Sequence, residues 1–96
     1  GFRSTASRNV FVGFNSGITN VGGHSNTALG FLAGPSSASL KNAAAVGYKA
    51  SVSQSNSLVL GGTDSLAVRV GIGTTAPNFQ FEVRTAATNA TIAQFR

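Results

Sequence analysis

Short apolar runs, each followed by a glycine, recur along the first two thirds of the chain. The runs are Val10–Val12, Ala28–Leu29, Ala43–Val46 and Leu58–Leu60, and they precede Gly13, Gly30, Gly47 and Gly61. The intervals between these glycines are 17, 17 and 14 residues. Helices need longer runs with a 3.6-residue period, so the pattern favours short strands separated by glycine turns. Regular recurrence predicts a repeat architecture built from stacked coils.

The predicted strands are apolar on both faces. The residue before each glycine and the residue two positions earlier share one face, as in the pair Val10 and Val12. The opposite face carries Phe11, Ala28, Ala45 and Val59. Strands that are apolar on both faces are typical of sheets covered on both sides. We therefore expect Leu29 and Val46 to be packed, with a second chain as the cover; a two-layer monomer is the alternative.

The 17-residue intervals carry extra residues, which we expect to form loops over 17–24 and 34–39 that project from the repeats. One asparagine precedes each apolar run. Two roles are open for these side chains: hydrogen bonding to turn backbone, or an asparagine ladder between coils. The set is Asn9, Asn26, Asn42 and Asn56.

The pattern changes after residue 63. Residues 66–73 alternate around Arg69 and end before Pro77, and residues 79–84 alternate strictly, which predicts a half-buried strand. The resulting division is 1–63 for the repeats and 64–84 for a connector with β-strands. Residues 85–96 are predicted to be a linker and the start of a further β module.

Composition narrows the function classes. Seven lysines and arginines against two acids give a net charge of +5, but the basic residues are dispersed singly. Nucleic-acid-binding surfaces cluster such residues, so we expect no nucleic-acid partner. No apolar run approaches the roughly 20 residues of a membrane-spanning helix, so we expect the segment not to be membrane-inserted.

Few residues offer chemistry. Asp64 and Glu82 are the only carboxylates, and His24 is the only histidine. No local motif joins them into an acid–base or nucleophile set. Residues 71–75 contain glycine and threonine but no lysine, so a tight turn is preferred over a phosphate-binding loop. The chain is therefore interpreted as a non-enzyme without catalytic residues, cofactor or metal; three copies of His24 near a trimer axis are the alternative metal site.

Aromatic residues follow three of the glycines at a constant position: Phe14, Phe31 and Tyr48. Equivalent positions in adjacent coils are neighbours, so we expect the rings to stack; an exposed sugar-binding strip is the alternative. The candidate surface-contact residues are Ile18, His24, Phe31 and Tyr48. The inserted loops offer only Ile18, Val21 and His24 as anchors, so we expect this segment to be mainly a spacer, with target specificity on a module beyond Arg96.

Two segments resemble known surface fibres. Residues 42–50 and 55–61 are similar to the head repeats of trimeric autotransporter adhesins of the YadA type. Residues 70–77, followed by 79–83, resemble the connector of trimeric phage tail fibres and related bacterial surface fibres. The combination is similar to the mosaic adhesive trimer fibres of predatory bacteria. The 17-residue repeats are longer than the usual spacing of the family.

The resemblance implies an all-β fold: a left-handed parallel β-roll assembled as an intertwined homotrimer, followed by a β connector. It also implies an extracellular or cell-surface fibre that displays a recognition tip to a target-cell surface, with glycans as candidate ligands. A bacteriophage tail-fibre segment for host attachment, on a virion tail, is one alternative. A carbohydrate-active β-solenoid enzyme is another, although such enzymes place several acids on one face.

Overall fold

In a computed structural model, described for residues 7–86 and 94, the chain is an all-β parallel solenoid followed by a two-stranded connector. Residues 1–6 of the predicted repeat segment, and most of the segment predicted for 85–96, lie outside the described residues. The strands are β1 (Val10–Val12), β2 (Thr27–Leu29), β3 (Gly34–Pro35), β4 (Ala43–Val46), β5 (Ser51–Val52), β6 (Ser57–Leu60), β7 (Val70–Ile72) and β8 (Phe81–Val83), with a short 3₁₀ helix at Asp64–Leu66.

The main sheet follows the register predicted from the glycines. Strands β1, β2, β4 and β6 pair in parallel, in that order. Thr27 lies opposite Val10 and Ala44, and Ala44 lies opposite Leu58. The coils are therefore residues 10–26, 27–43 and 44–57, which confirms the repeat lengths of 17, 17 and 14.

Glycine is required where each main strand ends. Gly13, Gly30 and Gly47 have φ angles of +126°, +132° and +122°, a region that side chains rarely adopt. A Cβ on Gly30 would also lie 2.6 Å from the carbonyl oxygen of Gly47, its equivalent in the next coil. The predicted glycine turns are therefore present, and glycine is favoured there by both a positive φ and close backbone approach.

The coil interior is narrow and filled by small side chains. Ala28 and Ala45 point inward from the main sheet and are fully buried. Ala45 belongs to a cluster with Ala43, Ala50 and Val52, so β5 lies on the opposite side of the coil from β4. Strand β5 pairs in parallel with β3 and forms the second wall.

The other face of the main sheet points away from the coil. Leu29 is 49% exposed, and Val46 is only half-buried. Leu29 is therefore not packed within a single chain, and its burial under a second chain stays a prediction. The outward apolar face, as we call this surface, consists of Val10, Val12, Leu29, Val46, Leu58 and Leu60.

The extra residues of the long coils do not simply project. Val21, Gly22 and Gly23 donate their backbone N–H groups to the Ala38 carbonyl at 2.8–3.0 Å. Pro35 is buried in β3. The expectation of projecting loops over 17–24 and 34–39 is therefore wrong in part, because small residues allow the two loops to stack on each other.

The predicted asparagine set occupies two different positions. Asn26 accepts the backbone N–H of Ala43 at 2.9 Å, just as Asn9 accepts that of Asn26 one coil earlier. Asn42 instead lies in a left-handed turn (φ 52°) and donates its side-chain amide to Asn56 at 3.0 Å. Both predicted roles occur. In the strand register, however, the residue equivalent to Asn26 in the next coil is Ala43, so Asn42 lies one residue out of register.

Beyond the last coil, the chain folds back and then forms the connector. The side chain of Val68 fills the space beside Gly61. Strands β7 and β8 pair in parallel, with Val70 opposite Phe81 and Ile72 opposite Val83. The two strands predicted for residues 64–84 are therefore present.

Candidate surface contact site

The three repeat aromatics form a stacked column, which we call the aromatic ladder (Phe14, Phe31 and Tyr48). The ring centroids of Phe14 and Phe31 are 5.7 Å apart with planes at 9°, and those of Phe31 and Tyr48 are 5.6 Å apart with planes at 13°. All three side chains are exposed. The prediction of stacking is confirmed.

Stacking limits what the aromatic ladder can bind. A sugar or a cation is best bound on the face of a ring, but Phe31 has a neighbouring ring on each side. The ammonium of Lys49 lies 5.3 Å from the centroid of Tyr48. The faces of Phe31 are therefore partly covered, and Phe31 is the least exposed of the three rings.

His24 lies at the other turn of the coil. It forms a parallel bridge with Lys41 in the next coil, and its ring Nδ1 lies 3.3 Å from the hydroxyl of Ser25. Within residues 7–86, no group of three or more histidines, cysteines or acids is placed to hold a metal ion. Of the four candidate residues, the fold brings only Phe31 and Tyr48 together.

Ile18 lines a shallow groove that crosses the coils, which we call the Leu32 groove. Its volume is about 160 Å³, and the exposed side chains of Ile18 and Leu32 supply aliphatic surface. At roughly 30 Å³ per water molecule, this is room for about five waters, or for one small ring.

Polar side chains from three coils complete the Leu32 groove. Asn15 and Thr19 come from the first coil, Ser36 from the second and Ser51 from the third. All four are exposed, so their amide and hydroxyl groups are accessible from solvent. Hydroxyls and amides both donate and accept hydrogen bonds, so the groove combines an aliphatic floor with uncharged groups of both kinds.

Leu32 has an unusual backbone conformation. Its φ is 55°, in the left-handed region, as are those of Asn15 and Lys49 at the equivalent positions. Asparagine tolerates this region, whereas a side chain such as leucine costs about 1–2 kcal/mol there. The repeat pattern did not single out Leu32, although it is the one apolar residue among the three equivalents.

The carboxylates do not lie on a common strand of the solenoid. Asp64 begins the 3₁₀ helix, and Glu82 lies in β8 of the connector. Glu82 accepts the backbone N–H of Asn78 at 2.7 Å and pairs with Arg84. These interactions, first the Asn78 hydrogen bond and then the charge of Arg84, hold the pKa of Glu82 below its ordinary value.

Comparisons of the chain with protein-family models, with curated proteins and with solved structures give no match. Among the described residues, no helix has the length and apolar character needed to cross a membrane.

Proposed function

We propose that this chain is a structural and adhesive segment of an extracellular trimeric fibre, which displays a recognition tip for attachment to a target-cell surface. The observation that carries the proposal is the outward apolar face. Parallel sheets are normally covered on both sides, and here one side of a four-stranded parallel sheet is apolar and open. Exposed apolar surfaces of this kind mark association sites.

The connector supports the same proposal independently. Ile72 and Phe81 lie on one face of the β7–β8 ribbon, and both are exposed. Phe79, in the loop before β8, is also exposed. A lone two-stranded ribbon is marginally stable at best, so covering by other copies of the chain would stabilise it.

The proposed assembly is a left-handed β-roll in which three chains place their outward apolar faces toward a shared axis. Stacked coils form a rod that holds a recognition module at a fixed distance, which suits a spacer or display role. The segment would serve the same spacer or display role in a bacterial surface fibre and in a virion tail fibre. In both cases it would lie outside the cytoplasm. No catalytic role is proposed.

Light scattering on the purified chain at micromolar concentration tests the assembly. The expected mass is three times 9.7 kDa. A stable, folded monomer would contradict the proposal. Gold-labelled antibodies raised against the chain should decorate fibres on intact cells or on virion tails, and labelling confined to the cytoplasm would contradict the display role.

A further inference from the structure

We propose that the Leu32 groove binds one hexose unit of an uncharged glycan chain. This inference deepens the proposed function, because it names a ligand class for the surface of the fibre itself. It also assigns this segment a weak contact of its own, in addition to its role as a spacer.

The groove remains accessible in the proposed trimer. Pro35 and Ser51 belong to β3 and β5, which form the wall of the coil opposite the main sheet. When the outward apolar face is turned toward the trimer axis, this wall is turned toward solvent. Each trimer therefore presents three copies of the groove, and three weak contacts on one fibre gain strength through multivalency.

The chemistry of the lining selects an uncharged ligand. The chain carries a net charge of +5, yet no side chain that lines the groove is charged. Sugars combine aliphatic C–H surfaces with hydroxyls that donate and accept hydrogen bonds. The aliphatic floor of Ile18 and Leu32 and the hydroxyls of Thr19, Ser36 and Ser51 match both features.

The size of the groove limits the ligand to a single unit. Sites for drug-sized molecules are commonly about 300–1,000 Å³, and this groove has about 160 Å³. It crosses neighbouring coils and is open to solvent, so the rest of a glycan chain can extend beyond it.

Leu32 supplies part of the aliphatic surface of the groove. The turn would accept asparagine without strain, as it does at Asn15. The leucine therefore does not serve the turn, and its side chain is exposed at the groove rather than buried in the coil.

The test is titration of the isotope-labelled full chain with glucose and galactose oligomers, followed by NMR chemical shifts. Oligomers of glucuronate and of sulfated galactose serve as charged probes. We expect saturable shifts of Ile18, Leu32 and Ser36 with at least one neutral oligomer, and weaker or no shifts with the charged ones. No saturable shift with any neutral oligomer, or stronger binding of a charged oligomer, would overturn the inference.

Two variants with matched controls locate the site. Leu32→Asn should weaken binding about tenfold, the usual effect of removing a small apolar contact, while it keeps or raises the melting temperature. Lys49→Asn changes the equivalent turn outside the groove and should leave binding unchanged. Ile18→Ser should also weaken binding, whereas Val21→Ser, at a similarly exposed aliphatic position, should not.

The outcomes separate this inference from the proposed function. Sugar binding that survives both groove variants but is lost in Phe31→Ala would move the site to the aromatic ladder and overturn the groove. Light scattering on the same samples reports assembly. A trimer without sugar binding contradicts the groove alone, and a folded monomer that binds sugar contradicts the trimer alone.

Discussion

Replacing Leu29 by aspartate distinguishes a free outward face from a buried one. In a single chain Leu29 is 49% exposed, so an aspartate there remains hydrated and changes folding little. In the proposed trimer, the same carboxylate is placed against two other chains. The substitution should therefore change the stability of a monomer little and strongly destabilise a trimer.

The structure sets the expected magnitude. Burial of a whole leucine or valine side chain contributes about 1.5–3 kcal/mol, so covering the exposed half of Leu29 contributes about 1 kcal/mol. Val10, Val12, Leu58 and Leu60 are similarly exposed, which gives about 5 kcal/mol for each chain on assembly. An unpaired buried charge costs about 3–5 kcal/mol. Together with the lost apolar contact, Leu29→Asp removes most or all of the gain.

The assay is light scattering and thermal unfolding followed by circular dichroism, at the same protein concentration for each variant. Leu29→Asp should lose the trimer mass and lower the melting temperature. Val21→Asp is the control, because Val21 is 58% exposed but lies outside the main sheet. If Leu29→Asp retains the mass and melting temperature of the parent chain, the main sheet is not the interface and the reasoning fails.

Three further predictions concern the coil and the connector. Gly30→Ala should destabilise the chain by about 2 kcal/mol or more in chemical denaturation, through its positive φ and the contact with the next coil, whereas Gly22→Ala, which has open space, should be neutral. Asn26→Leu should cost about 2–3 kcal/mol in the same assay, because its buried amide bonds three groups, and an unchanged midpoint would contradict this. Because the folded-state pKa of Glu82 is lowered, its stabilising contribution is present above the unfolded-state pKa and is lost as the pH falls through the folded-state value. The melting temperature of the parent chain should therefore fall on acidification more than that of Glu82→Gln, and parallel pH profiles would exclude the effect.

The glycine spacing was the most informative part of the sequence. It predicted the register of β1, β2, β4 and β6, because a positive φ and a close approach to neighbouring atoms favour glycine at those sites. Asparagine was less informative. It suits both a buried hydrogen-bonding position, as at Asn26, and a left-handed turn, as at Asn42, so its recurrence did not identify which position each copy occupies.

The second wall and the groove were not predictable in the same way. Strands β3 and β5 have two residues each, which is too short for any periodicity, and the Gly34–Pro35 pair favours a turn by local chemistry. The groove depends on residues that lie one coil apart in sequence and become neighbours only once the register is known. Its one sequence signal is Leu32, an apolar residue at a position where its equivalents are asparagine and lysine.

The column of repeat glycines also determines which mutations such a chain can accept during evolution. A single substitution in the column disturbs two coils at once, because each glycine faces the backbone of the next. Duplication or deletion of one of the two 17-residue coils, 10–26 or 27–43, by contrast, keeps the repeat glycines and the rings in register. The solenoid can therefore lengthen or shorten in steps of one coil, about 4.8 Å each, while its interior keeps the same packing.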